Sequence, residues 1–148
     1  MKHTTNKIAL TIALILTVGI SSSFAKTTNG NDDMVTASFR KDFKKGQLMN
    51  IEIKREYTKV TFTMGDQVMF AFYSGSGDLL AVTRNLLSSQ LPIQLLMSLK
   101  QNYSNYWITD LFEVNSEDQT HYYVTLQNAD GKKTLRAGNT EDWTTFHP

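Results

Sequence analysis

The chain of 148 residues contains no cysteine and only two prolines, and 15 Lys and Arg are matched by 14 Asp and Glu. The lack of cysteine excludes disulfides and thiolate-bound metal. The balanced charge predicts no partner among nucleic acids or anionic lipids. With 41% apolar residues, the composition is that of an ordinary globular domain. We therefore expect one domain that is stabilised by its hydrophobic core, without a cofactor.

The chain also lacks an apolar run long enough to span a bilayer as a helix. The run from Ile8 to Ile20 falls short of the roughly 20 residues that a spanning helix needs. Lys2 and Lys7 precede it, and Ser23 and Ala25 place small residues three and one positions before a cleavage site. The pattern predicts a signal peptide over 1–25, cleaved after Ala25. Because no cysteine can carry a lipid, we expect a periplasmic or secreted protein without a membrane anchor.

A helix and a group of strands are predicted after the signal peptide. Residues 26–33 are polar and predict a disordered lead-in, and 34–148 predicts a single domain. Val35, Phe39 and Phe43 form one stripe of a helix over 34–45. A short strand over 51–56, a hairpin over 59–73 with a Gly65-Asp66 turn, and a strand over 79–83 are expected to follow.

The second half of the chain repeats this order. Ser88 and Ser89 are candidate caps of a helix over 90–105, whose stripe is Leu91, Leu95, Leu99 and Tyr103. Alternation and turn residues then predict strands over 107–115, 122–127 and 133–137, with a last edge around 143–146.

The two halves match at an offset of 60 to 64 residues, with similar residues at about half a dozen positions. The segment SFRK at 38–41 aligns with SLKQ at 98–101, and Val60 and Phe62 align with Val124 and Leu126. We interpret this as half-repeats over 34–88 and 89–148. The predicted fold class is α+β, with two tandem helix-plus-antiparallel-strand units and both helices on one face of the sheet.

Four segments resemble a known family. They are SFRKDF, VTFTMGDQVMFAFYSGSGDLLAV, LPIQLLMSLKQNYSNYWI and YYVTLQNADGKKTL, within 34–147. They resemble the PepSY-like, beta-lactamase-inhibitor-like family of small exported proteins of the Bacteroidetes type. The resemblance implies the fold and an exported location. It implies no particular target, because related folds host unrelated functions.

Catalytic and metal-binding patterns are weak in this sequence. His121 and His147 lie beside predicted strand ends, and no G-x-S-x-G elbow is present. Glu117, Asp118 and His121 offer the best metal ligands, but a solvated loop explains them more simply. We predict neither catalytic residues nor a metal site. The alternative from another class is a small periplasmic enzyme that uses His121 with a nearby carboxylate.

Paired aromatic residues give the remaining functional signal. Phe72 and Tyr73, Trp107 and Ile108, and Tyr122 and Tyr123 are neighbours on predicted strands, so alternation sends the members of each pair to opposite faces.

The candidate binding anchors are Tyr73, Trp107 and Tyr123, on the sheet face turned away from the helices. The competing interpretation is that these rings pack on one another, or that the register is shifted by one residue.

The sequence thus predicts an exported, non-enzymatic binding or inhibitor-type module. Its expected partner is an envelope or secreted protein, contacted through an open aromatic sheet face. A third hypothesis is a structural protein whose sheet edge pairs with a copy of itself.

Overall fold

The computed structural model describes residues 30–147 except 118, 140 and 141. The predicted signal peptide and residues 26–29 lie outside the described residues. Helix α1 spans Gly30–Asp42 and so begins four residues before the predicted start. The predicted lead-in is therefore wrong for 30–33, which are helical. Asp33 lies in the first turn, where the helix dipole favours a negative charge.

Eight strands of the described residues form one antiparallel sheet, and each strand pairs with the next along the chain. They are β1 (Gln47–Ile53), β2 (Thr58–Met64), β3 (Gln67–Tyr73), β4 (Leu79–Asn85), β5 (Trp107–Ser116), β6 (Gln119–Asn128), β7 (Gly131–Gly138) and β8 (Thr144–Thr145). The α+β class is confirmed, and so is each predicted strand, although β1 begins at Gln47 rather than near 51. The turn between β2 and β3 lies at Gly65-Asp66, as predicted, and the turn between β6 and β7 lies at Ala129-Asp130.

Helix α2 spans Ile93–Asn102 and connects β4 to β5. Pro92 is its N-cap residue, and a short 3₁₀ turn over Ser88–Gln90 precedes it. The expectation that Ser88 or Ser89 caps this helix is therefore wrong. Proline suits the start of a helix because the first N–H groups have no partner within the helix.

Each helix buries one stripe against the sheet. Val35 and Phe39 of α1 are 1% and 2% exposed, and they pack against Val60, Phe62 and their neighbours. Leu95 and Leu99 of α2 pack in a second cluster. That cluster also contains Leu86, Leu91, Leu111, Tyr122, Val124, Leu126, Leu135, Ala137 and Trp143. The predicted core positions Val35, Phe39, Leu91, Leu95 and Leu99 are confirmed as buried. Phe43 and Tyr103, which follow the two helices, are only half-buried.

The pairing register identifies the face on which the helices lie. Directly paired residues share a face, and one such row runs through Val60, Ala71, Val82 and Asn115. Val60 and Ala71 contact α1. Asn115 shares its face with Leu111, four residues before it on β5, and Leu111 belongs to the cluster of α2. Both helices therefore pack on the same face, which we call the helix face.

The C-terminal segment closes the cluster of α2. Trp143 is 8% exposed, and its indole Nε1 donates a hydrogen bond to the carbonyl oxygen of Leu95 at 3.0 Å. Neither described helix is both long and apolar enough to cross a membrane.

Candidate binding face

The sheet face opposite the helices, which we call the open face, is identified by a second row of paired residues. This row runs across β2 to β6 through Thr61, Phe70, Thr83, Val114 and His121. The apolar cluster on this face is built from strand residues and from Tyr57 of the β1–β2 turn, and neither described helix contributes to it. Within the part of the chain that the structure describes, the apolar cluster of the open face is therefore covered only by its own side chains.

Aromatic rings dominate the open face. The rings of Phe112 and Tyr123 are stacked at 5.1 Å with an interplanar angle of 6°. Phe146 meets Tyr123 edge-on, also at 5.1 Å. On the other side of the sheet centre, Tyr57 meets Phe72 edge-on at 5.4 Å. These contacts lie in the range in which aromatic pairs attract each other.

The mutual packing buries part of this surface. Phe72 is 3% exposed and Phe112 is 9% exposed, although no helix covers them. Tyr123 is half-buried, and the Nζ of Lys59 lies 4.6 Å from the ring centroid of Phe70. The competing interpretation, that the rings pack on one another, therefore holds for Phe72, Phe112 and Tyr123. No helix of the described residues covers the face that they form.

Tyr73 does not lie on the open face, so its assignment as an anchor is wrong. Its relative exposure is 0%, and it belongs to the cluster beneath α1. Its hydroxyl donates a hydrogen bond to the carboxylate of Asp42 at 3.2 Å. The neighbouring Phe72 takes the open face instead. Tyr73 thus faces the helices and Phe72 faces away from them, which is the reverse of the prediction.

Because the hydroxyl of Tyr73 is buried, the free energy of unfolding is expected to decrease at alkaline pH. Burial raises the pKa of Tyr73, and the adjacent carboxylate of Asp42 raises it further. An exposed tyrosine in the unfolded chain ionises near pH 10, so the folded state holds this proton more tightly. The stabilisation is complete below about pH 10 and is lost as the pH rises toward the folded pKa.

We expect Tyr73→Phe to reduce the loss of stability between about pH 8 and pH 11. Denaturant unfolding at both pH values measures the free energy of unfolding of the Tyr73→Phe variant and of the unmodified protein. The other tyrosines are present in both, so the difference between them reports on Tyr73. An equal loss in both proteins would show that Tyr73 does not ionise on unfolding.

The structure places Trp107 and Tyr123 on one face. Trp107 pairs with Gln127, which alternation puts on the same side of β6 as Tyr123. Four residues of strand separate Gln127 from Tyr123, which corresponds to about 13 Å. Trp107 is 55% exposed. The open face therefore carries a packed aromatic stack and, at one end, an exposed indole.

His121 also lies on the open face. Its Nε2 is 2.5 Å from the Nη2 of Arg136. A guanidinium is permanently charged, so it can donate to this nitrogen but cannot accept a proton from it. Among the described residues, no group of three or more His, Cys, Asp or Glu side chains is placed to hold a metal ion.

A polar network that the sequence did not indicate lies on the helix face. Arg84 of β4 and Glu113 of β5 are directly paired. Two hydrogen bonds of 3.1 and 3.2 Å join the guanidinium to the two carboxylate oxygens. Asn115 donates to Glu113 at 2.6 Å, and Gln67 accepts from Arg84 at 3.2 Å. The network joins β3, β4 and β5 where the sheet passes from one helix to the other.

The network affects a neighbouring tyrosine as well. Burial raises the pKa of Tyr122, and the carboxylate of Glu113 raises it further, whereas Arg84 lowers it. Tyr122 donates a hydrogen bond to Asn139 at 3.3 Å. These residues are bound within the fold, so we assign the network a structural role.

Comparison with known proteins identifies the fold. No family profile matches the chain, and no curated protein matches it in sequence. A DUF2874 family protein from Bacteroides uniformis has a TM-score of 0.69 at 14% identity, covering 74% of this chain and 83% of that one. A BLIP-like protein from Bacteroides fragilis has a TM-score of 0.64 at 16% identity, covering 78% of this chain and 82% of that one.

A third neighbour, from Bacteroides eggerthii, is assigned to the periplasm. Its TM-score is 0.70 at 9% identity, covering 77% of this chain and 86% of that one. All three neighbours come from Bacteroides and one of them is BLIP-like, which confirms the predicted resemblance. At these identities, what the chain shares with them is the fold.

Proposed function

We propose that this chain is an exported, non-enzymatic binding or inhibitor-type module that contacts an envelope or secreted protein through its open face. The observation that carries the proposal is an aromatic sheet face that neither described helix covers, with Trp107 exposed at one end. Tryptophan and tyrosine are enriched among the residues that dominate binding energy at protein interfaces. An uncovered aromatic surface promotes aggregation, so its presence on an exported protein favours a use in binding.

Export is part of the proposal. The basic start, the apolar run and the small residues before Lys26 support cleavage after Ala25. The periplasmic assignment of a structural neighbour supports the same compartment. Without a cysteine for acylation, the mature chain would carry no lipid anchor.

We also propose that the halves 34–88 and 89–148 are tandem units. Val60 and Val124 are both 0% exposed, and they pair with Ala71 and Leu135 at the same offset of 64 residues. The equivalence of these buried pairs supports the repeat. In this interpretation, the open face is a continuous surface formed by both units.

The contact of His121 Nε2 with Arg136 favours a binding role over a catalytic one. A histidine that acts as a base is oriented by a carboxylate on one ring nitrogen and leaves the other nitrogen facing the substrate. Here Arg136 contacts Nε2. We therefore assign His121 to the surface of the binding face, beside the stacked ring of Tyr123.

Trp107→Ala provides the direct test of this proposal. The mature chain serves as bait for proteins of an envelope extract, and the retained partner is quantified for each variant. We expect binding to weaken by about 2 kcal/mol, or about thirtyfold. The free energy of unfolding should change by no more than about 0.5 kcal/mol, because the indole is already exposed.

The matched control is Ile93→Ala on α2, where the side chain is 59% exposed and remote from the open face. Retention by this variant should equal that of the unmodified chain. Tyr123→Ala is less suitable, because loss of the stack on Phe112 would itself lower stability. A Trp107→Ala variant that folds and retains its partner fully would refute the open face as the contact surface.

A further inference from the structure

Strand β1 is an edge strand that exposes apolar side chains. No other strand of the described chain pairs with its outer side. Leu48, Met49 and Ile53 are 42%, 60% and 48% exposed. An apolar edge with free backbone groups is a template for pairing with another strand.

The hydrogen bonds of the β1–β2 turn show which backbone groups point outward. The amide of Lys54 donates to the carbonyl oxygen of Tyr57 at 2.8 Å, so Lys54 faces β2. Backbone direction alternates along a strand, so Glu52 and Asn50 also face β2. The amide and carbonyl groups of Ile51 and Ile53 therefore point away from the sheet.

We propose that β1 pairs antiparallel with β1 of a second copy of this chain, about a two-fold axis at Ile51. This register joins the outward-pointing groups of Ile51 in the two copies. Ile53 then lies opposite Met49, at the β-bulge between Leu48 and Asn50 where the regular part of the ladder ends. The register also places Asn50 of each copy opposite Glu52 of the other. Both side chains belong to the open-face side of β1, because they pair with Thr61 and Lys59 of β2.

Charge selects this register. An amide opposite a carboxylate is a favourable cross-strand pair, and the two-fold axis produces it twice. A centre one residue later, at Glu52, would place two carboxylates directly opposite each other, which is less favourable even though Lys54 and Lys59 lie 3.1 and 3.8 Å from the carboxylate oxygens of Glu52.

The opposite edge of the sheet explains why we propose a dimer and not a longer assembly. Strand β8 has only two residues, Thr144–Thr145, and offers too short a ladder for pairing. Of the two edge strands, β1 offers the longer apolar ladder, so the proposed association uses β1 in both copies. An interface of this isologous kind closes at two copies, whereas pairing of one edge with the other would extend into a filament. The pairing leaves the open face of each copy uncovered, so it is independent of the proposed function.

Sedimentation equilibrium of the mature chain over a concentration series tests the proposal. We expect a monomer–dimer equilibrium without larger species. Ile53→Pro should weaken the dimer at least about tenfold, because proline removes an outward N–H and leaves the bonds to β2 intact. Ile93→Lys, an equally exposed apolar-to-charged change on α2, should leave the dimer unchanged.

Two changes at the exposed Asn50 test the register itself. Asn50→Lys would face Glu52 of the other copy and should tighten the dimer, whereas Asn50→Asp would face the same carboxylate and should weaken it. We expect the two dimer dissociation constants to differ by about tenfold. Circular dichroism verifies that each variant folds. If Ile53→Pro does not fold, the two Asn50 variants alone test whether the dimer forms through β1.

A chain that stays monomeric up to about 1 mM would refute the proposal, since association that weak is near the lower limit of specific binding. A dimer that is insensitive to the changes at Ile53 and Asn50 would place the interface elsewhere. Growth into larger oligomers would show that the contact does not close at two copies.

Discussion

Leu99→Ala is expected to lower the free energy of unfolding by about 2–5 kcal/mol. Leu99 is 5% exposed and lies on the inner stripe of α2, one turn after Leu95. Its cluster includes Val124 and Leu126, which are 0% and 2% exposed. The sheet beneath the helix cannot collapse around the missing isopropyl group, so the loss includes a cavity as well as the transfer of the removed atoms.

Met97→Ala is the matched control for this prediction. Met97 lies on the same helix and is 51% exposed, so its truncation should cost no more than about 0.5 kcal/mol. Urea denaturation of the two variants measures both values. Equal costs would mean that α2 does not pack on the sheet through Leu99.

Arg84→Leu is the second change with a large expected effect, about 3–5 kcal/mol. The change removes the cation that pairs with Glu113, a residue that is only 8% exposed. The carboxylate would keep the hydrogen bond from Asn115 but would lose both bonds from the guanidinium. An unpaired charge on the helix face is costly because little water reaches it.

Changes at Glu113, the partner of Arg84 in the ion pair, distinguish the cost of an unpaired buried charge from the cost of lost packing. Glu113→Leu should cost less than Arg84→Leu, since the Arg84 side chain is 33% exposed and its charge can be hydrated. The double variant Arg84→Leu with Glu113→Leu should recover much of the loss, because apolar residues can replace a buried ion pair at little cost. A double variant whose loss equals the sum of the two single losses would show that the charges do not interact.

Much of the fold could be predicted because local signals mark it. Gly65-Asp66 and Asp130-Gly131 mark the hairpin turns, and the 3.6-residue stripes mark both helices. The inner stripe of α2 was predicted correctly because Leu95 and Leu99 are separated by one turn.

Which residues of β3 face the helices could not be predicted, because apolar and polar residues do not alternate along this strand. Val68 to Tyr73 is apolar at nearly every position, and such a run has no periodic signal to tell one face from the other. Tyr73 therefore lies beneath α1, where its hydroxyl reaches Asp42, and Phe72 lies on the open face. In β6, the polar Thr125 and Gln127 alternate with Val124 and Leu126, and Tyr123 lies on the predicted face.

The Arg84–Glu113 pair shows a different limit of sequence analysis. The two residues lie on strands separated by α2, so nothing in the sequence fixes the register that pairs them. Both charges also occupy positions that alternate with open-face residues and so point toward the helix side, where charged residues are rarely buried unless paired.

Steric blocking of one face tests the central claim, that the open face is the contact surface, most directly. The chain has no cysteine, so a single introduced thiol can be labelled selectively. Gln127→Cys places a thiol on the open face beside Trp107, and Gln101→Cys places one on α2, on the opposite side of the sheet. Each variant is coupled to a large polyethylene glycol maleimide, and retention of the partner from the envelope extract is compared before and after coupling. We predict that the polymer abolishes retention at position 127 and leaves it unchanged at position 101. Full retention with the polymer at position 127 would contradict the claim.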